Sequence, residues 1–321
     1  MRRKHLFVGA GTALVTPFIP GGSIDWGALE KHVEMQIAGH VEFLVPCGTT
    51  GESPTLDHAE HNAVIRRVVQ IVAKRIPVLA GTGSNSTAEA VALTRSAEES
   101  EADGVLVVMP YYNKPTTAGI LDYYRQVAKV GLPVVLYDIP GRCGGKMIPA
   151  SLILELAREG TIVGLKWASG DWDQLQEVLA GRPNGFTVLS GDDNRTFPAM
   201  CLGAEGVISV LANLMPLEVV KLVAAVHVHH HDEARRMHYK LLPAMQAMFL
   251  ETNPIPVKTA SAMVYPNIFQ EVFRSPMVPM FGDNRCKLHE VLVSYDLLPP
   301  SHQAPTKTRR KGPEAHKKAL T

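Results

Sequence analysis

A lysine inside a strand-like run is the first residue whose placement demands a chemical explanation. The run Val163-Gly164-Leu165-Lys166-Trp167-Ala168 is short, apolar and β-rich. Side chains alternate across a strand, so Gly164, Lys166 and Ala168 share one face and Val163, Leu165 and Trp167 the other. Small residues flank the lysine, which suits a crowded interior. A buried ammonium is costly unless it is paired or neutral. Desolvation and nearby cations lower its pKa, and a neutral amine attacks a carbonyl. The plain alternative is a lysine that snorkels from the strand end to water.

Three other apolar runs end in groups that complement such a nucleophile. Pro46-Cys-Gly-Thr-Thr-Gly-Glu-Ser53 sets two glycines around two threonines. That makes a tight turn with free amides and two hydroxyls, suited to a carboxylate or phosphate; a plain βα turn is the alternative. Tyr111-Tyr112-Asn113-Lys114-Pro115 ends another run, where paired tyrosines equally serve packing. Tyr137-Asp138-Ile139-Pro140-Gly141-Arg142 brings a phenol and a guanidinium to one rim. An amine nucleophile, a phenol to move protons, hydroxyls for one carboxylate and an arginine for a second are all used by one chemistry. That chemistry is a Schiff base with a 2-oxo acid.

The elements that must position these groups have a rhythm. Strand-like runs occur at Phe7–Thr16, Glu42–Pro46, Pro77–Ala80, Gly104–Met109, Pro133–Tyr137, Val163–Trp167, Phe186–Leu189 and Gly206–Val210. Each is bounded by Gly, Pro or Asp. Helical patterns lie between most of them. Asp57-x-x-Glu60 and Ser86-x-x-Glu89 open two with capping-box spacing, and Gly119–Val130, Ser151–Ala157 and Trp172–Leu179 supply others. Eight strands alternating with helices predict an α/β fold, a (β/α)8 TIM barrel. An open doubly wound sheet would carry GxGxxG after its first strand, and Gly9-Ala-Gly11 is followed by Thr12, Ala13 and Leu14. The expected organisation is a catalytic barrel over 1–225, a C-terminal helical region over 226–298, and a basic, disordered tail over 299–321. The helical appendix begins at about residue 213 on pattern alone.

Composition narrows the class. The 321 residues are 46% hydrophobic and 20% charged, with a net charge of +1, which excludes a disordered chain, a coiled coil or a fibre. No global field for nucleic acid follows. The basic residues of the tail (Lys307, Arg309, Arg310, Lys311, Lys317 and Lys318, against Glu314) are expected to be solvated. Cys47, Cys143, Cys201 and Cys286 form no CxxC pair, which suits a reducing compartment. The start lacks a signal-peptide core. Val207 to Val228, the longest apolar stretch, is interrupted by Asn213, Pro216, Glu218 and Lys221 and makes a poor membrane span. A soluble, cytoplasmic protein is expected, with no nucleic-acid or membrane partner.

Taken together, GTTGES (48–53), AGTGSNSTAEA (80–90), PYYNKP (110–115), YDIPGR (137–142), GLK (164–166), LSGDD (189–193), GAEGVISVLAN (203–213) and ETNPIPVK (251–258) resemble the dihydrodipicolinate synthase family of pyruvate-dependent aldolases, which also holds N-acetylneuraminate lyase. The resemblance spans roughly residues 8–295. It implies a lyase that condenses pyruvate with L-aspartate 4-semialdehyde in lysine and diaminopimelate biosynthesis. It also implies that Lys166 forms the imine, Tyr137 moves protons beside it, and Thr49 and Tyr112 complete a relay, Tyr112 reaching in from a neighbouring subunit of a homotetramer. Thr49 and Thr50 would hold the pyruvate carboxylate and Arg142 that of the aldehyde, with Gly191 and the backbone carbonyl of Ile208 lining the pocket. No cofactor or metal is implied, since the lysine does the covalent work. Three departures stand out: Trp167 where an acid is usual, Asp138 where Asn is usual, and Cys143 where Thr is common. They point to altered electrostatics at the rims of strands five and six and leave the exact aldehyde open.

L-lysine is the expected inhibitor. In lysine-regulated relatives a second site lies at the dimer interface, and its positions match Ser53, Pro54, His58, His61, Asn85, Glu89 and Tyr111. Glu89 could meet an ammonium, although a capping box also accounts for it. His227, His229, His230, His231 and Asp232 form a dense run. On one helix His227 and His231 would be a turn apart, though a solvated face is the simpler reading. The rival functions are a lyase for N-acetylneuraminate or a 2-keto-3-deoxy sugar acid, and a non-catalytic regulator that kept the barrel.

Overall fold

The computed structural model describes residues 6–300. Every run expected as a strand overlaps one, with β3, β5 and β7 ending one residue beyond it: β1 Gly9–Ala13, β2 Phe43–Val45, β3 Leu79–Gly81, β4 Gly104–Val108, β5 Val134–Asp138, β6 Gly164–Trp167, β7 Thr187–Ser190 and β8 Gly206–Ser209. They pair in parallel in the order β2-β1-β8-β7-β6-β5-β4-β3. A parallel bridge between Leu44 and Val78 joins the two outer strands and closes the ring. The fold is the (β/α)8 barrel. Its helices are α1 Trp26–Ala38, α2 His58–Val72, α3 Thr87–Glu99, α4 Thr117–Ala128, α5 Ala150–Glu159, α6 Trp172–Gly181, α7 Thr196–Cys201 and α8 Pro216–His227.

Alternation sorts the side chains of each strand. Phe7, Ala13, Phe43, Val45, Leu79, Leu106, Val135, Tyr137, Leu189 and Ile208 fill the barrel. Their neighbours Leu44, Leu136, Leu165, Trp167 and Val188 face the helices. Gly11 makes the interior possible on its side, because a Cβ there would sit 2.1 Å from the Phe43 ring. Filling by side chains leaves the C-terminal mouth as the place for a site.

The two predicted caps differ. Asp57 and Glu60 form the reciprocal capping box of α2. Ser86 caps Glu89 N at 3.5 Å, but the Glu89 carboxylate does not return to the cap. It accepts from Ser84 Oγ and meets His58 Nε2 at 2.5 Å. The predicted box at α3 is thus only half formed.

The helical appendix starts later than residue 213. α8 packs on β1 and β8 as the eighth barrel helix, and α9 His231–Ala247, α10 Ile255–Val264 and α11 Gly282–Ser294 follow it. The idea of one helix carrying His227 and His231 is also corrected. α8 ends at His227, His229 takes a left-handed φ of 60°, and His231 begins α9. His227 Nε2 lies 3.2 Å from the Glu205 carbonyl instead. Among the described residues no His/Cys/Asp/Glu group is arranged to hold a metal, and no helix is long and apolar enough to cross a membrane. The tail expected over 299–321 lies outside the described residues from 301 onward.

Candidate active site

Tyr137 and Lys166 are register partners on β5 and β6. Both point inward at the C-terminal end of the barrel, so the lysine Nζ stands 4.1 Å from the centre of the phenol ring. Lys166 is only 6% exposed, which excludes the snorkelling alternative. Burial brings its pKa down to about 8, while Asp192 and Asp193 pull it upward and Arg142 pushes it down. Burial also raises the Tyr137 phenol, keeping it protonated; the Arg142 charge and the nearby Thr49 hydroxyl act in the opposite direction. A phenol that holds its proton beside a readily neutralised amine can hand that proton over and take it back.

Around this pair is a cavity of about 90 Å³ lined by Thr49, Thr50, Ser53, Arg142, Gly191, Asp192 and Asn253 among others. In the turn after β2, the amides of Gly51, Glu52 and Ser53 donate to Gly48 O, Thr49 O and Gly48 O. Those three amides are spent inside the turn, so the predicted set of free donors is reduced. Thr50 Oγ1 accepts from Asn253 Nδ2 at 3.0 Å, which leaves its own proton to donate. Arg142 sits on a short 3-10 turn, Pro140–Arg142. Its Nη2 donates to the Asn253 carbonyl at 3.0 Å, and it remains exposed at the rim. Gly191 follows β7 and lies against the lysine: a Cβ there would come 3.2 Å from Lys166 Cε and 2.7 Å from Ala168 Cβ.

Two predicted residues stand apart from the cavity. Ile208 is fully buried in the barrel and is not among the lining residues, where Val210 appears. Tyr112 is 88% exposed, on the loop after β4, and does not line its own chain's cavity. The three departures do not line it either. Asp138 and Trp167 are outward-facing by the same alternation that turns Tyr137 and Lys166 inward. Cys143 is buried, its Sγ donating to Met109 O at 3.5 Å. None of the three side chains lines the cavity, so they can reach the rims only through the elements they hold.

Several contributors escaped the sequence reading. Asp192 lines the cavity and pairs with Arg195 at 3.0 Å. The buried Asp193 carboxylate accepts from Ser209 Oγ, Val210 N and Leu211 N, fixing the exit of β8. Asn253 bridges Thr50 and Arg142 from the segment before α10. Two acids at a strand's C-terminal end were a readable signal; nothing local marked Asn253. Behind the threonine turn, Glu52 and Lys258 form an ion pair whose side chains are 2% and 3% exposed. Lys258 Nζ lies 4.2 Å over Phe18, and Arg274 N donates to Glu52.

The positions of the second candidate site partly converge. The Glu89 carboxylate, drawn below its usual range by Ser84 and His58, also interacts with His61. Burial lowers His61, with the Gly81 backbone acting in the opposite direction. Tyr111 reaches Ser84 and the Asn85 backbone and is raised by burial and by Glu89. Ser53 lines the main cavity instead, and Pro54 is exposed at the start of a 3-10 turn.

The model of the dihydrodipicolinate synthetase family matches residues 6–294. The chain belongs to the dihydrodipicolinate synthetase family. Among curated members, the 4-hydroxy-tetrahydrodipicolinate synthase of Geotalea daltonii is 49% identical over 91% of this chain and 100% of its own. The solved family member from Aquifex aeolicus, a dihydrodipicolinate synthase, superposes with a TM-score of 0.88 at 44% identity, covering 91% of this chain and 99% of its own. A family structure from Cyanidioschyzon merolae, described with lysine bound, has a TM-score of 0.88 at 34% identity, covering 92% of this chain and 100% of its own.

Proposed function

We propose that this chain condenses pyruvate with L-aspartate 4-semialdehyde to give 4-hydroxy-tetrahydrodipicolinate, the first committed step of lysine and diaminopimelate biosynthesis. The observation that carries it is a buried Lys166 beside Tyr137 in a cavity floored by Thr49 and Thr50 and rimmed by Arg142. Neutral Lys166 adds to the pyruvate ketone, Tyr137 supplies and recovers protons, and water leaves to form the imine. Loss of a methyl proton gives the enamine, whose carbon attacks the aldehyde, the aldehyde oxygen taking up a proton; the substrate's own amino group then adds to the imine carbon, closing the ring and expelling Lys166 as the free amine. Thr49 and Thr50 hold the first carboxylate and Arg142 the second. The lysine provides the covalent chemistry, so the reaction needs no external cofactor. Four free thiols suit a reducing cytoplasm.

A small cavity with an arginine at its rim favours a short carboxylated aldehyde over the polyol of a sialic acid. Assays with the semialdehyde and with N-acetylneuraminate side by side test this. Pyruvate with borohydride should add a stable mass to the peptide holding Lys166. Faster cleavage of N-acetylneuraminate, or labelling that persists in Lys166→Ala, would overturn the reading.

A second reading concerns regulation. Glu89 is turned away from its cap toward Ser84 and His58, which leaves a carboxylate among histidines and a phenol able to meet an ammonium. L-lysine is the proposed inhibitor there, acting by coupling between sites and not by occupying the active site. The proposed assembly is a homotetramer, a dimer of dimers, in which Tyr112 enters a neighbour's cavity.

A further inference from the structure

The loop that carries Arg142 leaves β5 at Asp138 and returns at Ile148, just before α5. Its internal bonds are local: Cys143 N and Gly145 N donate to Pro140 O at 3.0 and 2.9 Å. Gly144 and Gly145 take left-handed φ values of 65° and 77°, and ordering such glycines costs more backbone entropy than any other residue.

What joins the two ends is one buried carboxylate. Asp138, 0% exposed, accepts from Ile148 N at 3.3 Å through Oδ1 and from Gln174 Nε2 at 2.7 Å through Oδ2. The same amide nitrogen donates to Ile148 O at 2.6 Å. Gln174 is itself held, its Oε1 accepting from Ser169 Oγ at 2.5 Å and its N–H capped by Asp171. The neck of loop 139–147 is therefore clasped to α6 and to the turn that follows β6.

The clasp requires an acceptor at 138. Gln174 cannot rotate without setting its oxygen against the Ile148 carbonyl, so its NH2 points at 138, where Ile148 N–H also points. A carboxylate satisfies both donors; an asparagine satisfies one and opposes the other with its own NH2. Burial raises Asp138 to about 6, which leaves it ionised at neutral pH. The titratable groups facing it, Tyr124 of α4 and Cys143 of the loop, are themselves raised.

We propose that Asp138 and Gln174 are positioning residues whose clasp on the neck of loop 139–147 holds Arg142 over the cavity for the carboxylate of the aldehyde substrate. This rests on the role of Arg142 proposed above. Neither residue lines the cavity, so both act through the loop.

The test uses the full-length enzyme and four variants: Asp138→Ala, Asp138→Asn, Arg142→Ala and the double Asp138→Ala/Arg142→Ala. Two readouts are needed, the KM for each substrate and the rate of borohydride trapping with pyruvate alone. Asp138→Ala should raise the semialdehyde KM roughly tenfold and leave pyruvate trapping within about twofold. Asp138→Asn should lose less, and it carries the comparison if the alanine variant does not fold. In the Arg142→Ala background the alanine change should add little, because the group it positions is gone. Equal losses toward both substrates, or a full additional loss in the double variant, would overturn the clasp. A silent Asp138→Ala beside a semialdehyde-selective Arg142→Ala defeats the clasp alone. A silent Arg142→Ala defeats the role of Arg142 and the clasp with it.

Discussion

Burial brings Lys166 down to about 8 against the upward pull of Asp192 and Asp193. The attacking form is the neutral amine, so imine formation should accelerate as pH rises and level off above about 8. Roughly one molecule in ten is competent at pH 7 by that value. Asp192→Asn removes a charge that favours the ammonium, so its trapping profile should shift to lower pH. An unchanged pH–rate curve would show that Asp192 does not act on the lysine. Arg142→Ala removes a planar fork suited to a carboxylate. Loss of a charged hydrogen bond costs about 1.5–3 kcal/mol, so the semialdehyde kcat/KM should fall roughly ten- to a hundredfold in steady-state assays, with pyruvate KM much less affected. The inward placement of Lys166 was legible, because alternation puts it on one face with Gly164 and Ala168 and those small residues suit a crowded interior. The same alternation turns Asp138 and Trp167 outward. Their unusual identities therefore reach the rim only through the elements they hold, as Asp138 does at Ile148.

The strand–helix rhythm showed the barrel because each strand is a short apolar run between breakers, and that pattern is local. The way the C-terminal region holds the site was not legible, since its contacts span the chain. Lys258 of α10 meets Glu52 of the threonine turn, and Arg274 binds Glu60 through two nitrogens at 2.5 and 2.6 Å. Glu52 takes a left-handed φ of 53°, a conformation unusual for a residue with a Cβ and held here by its partners. Lys258→Met leaves a buried carboxylate with Arg274 N as its remaining named donor. Breaking one side of such a pair costs about 3–5 kcal/mol, so the melting temperature should drop by several degrees. Glu52→Gln/Lys258→Met should lose less, and equal losses would argue that Lys258 matters only by packing. At the α3 end, Glu89→Ala should weaken inhibition by millimolar lysine in a rate assay and leave basal turnover largely intact, because Ser86 still caps the helix. If lysine affects the wild-type chain in neither rate nor melting temperature, that cluster is structural.

At the scale of the whole molecule, the proposed proton relay is not contained in one chain's cavity. Lys166, Tyr137 and Thr49 share a cavity, while Tyr112 is 88% exposed, with a left-handed φ of 68°. A phenol this exposed gains little from its own chain, and in the proposed assembly it would enter another's cavity. In a two-fold pair each site would then combine one chain's Lys166 with its partner's Tyr112, since such an interface is self-complementary. Lys166→Ala and Tyr112→Phe should each be poorly active alone. When the two are dissociated and reassembled together, a mixed pair holds one site with an intact lysine from one chain and an intact tyrosine from the other. Random pairing makes half of the pairs mixed, with one complete site in each, so about a quarter of wild-type activity should return. Recovery should require subunit exchange and disappear when the variants are mixed without dissociation. If reassembly restores nothing, Tyr112 serves its own chain's site or none, and the single-chain cavity must be sufficient for proton transfer.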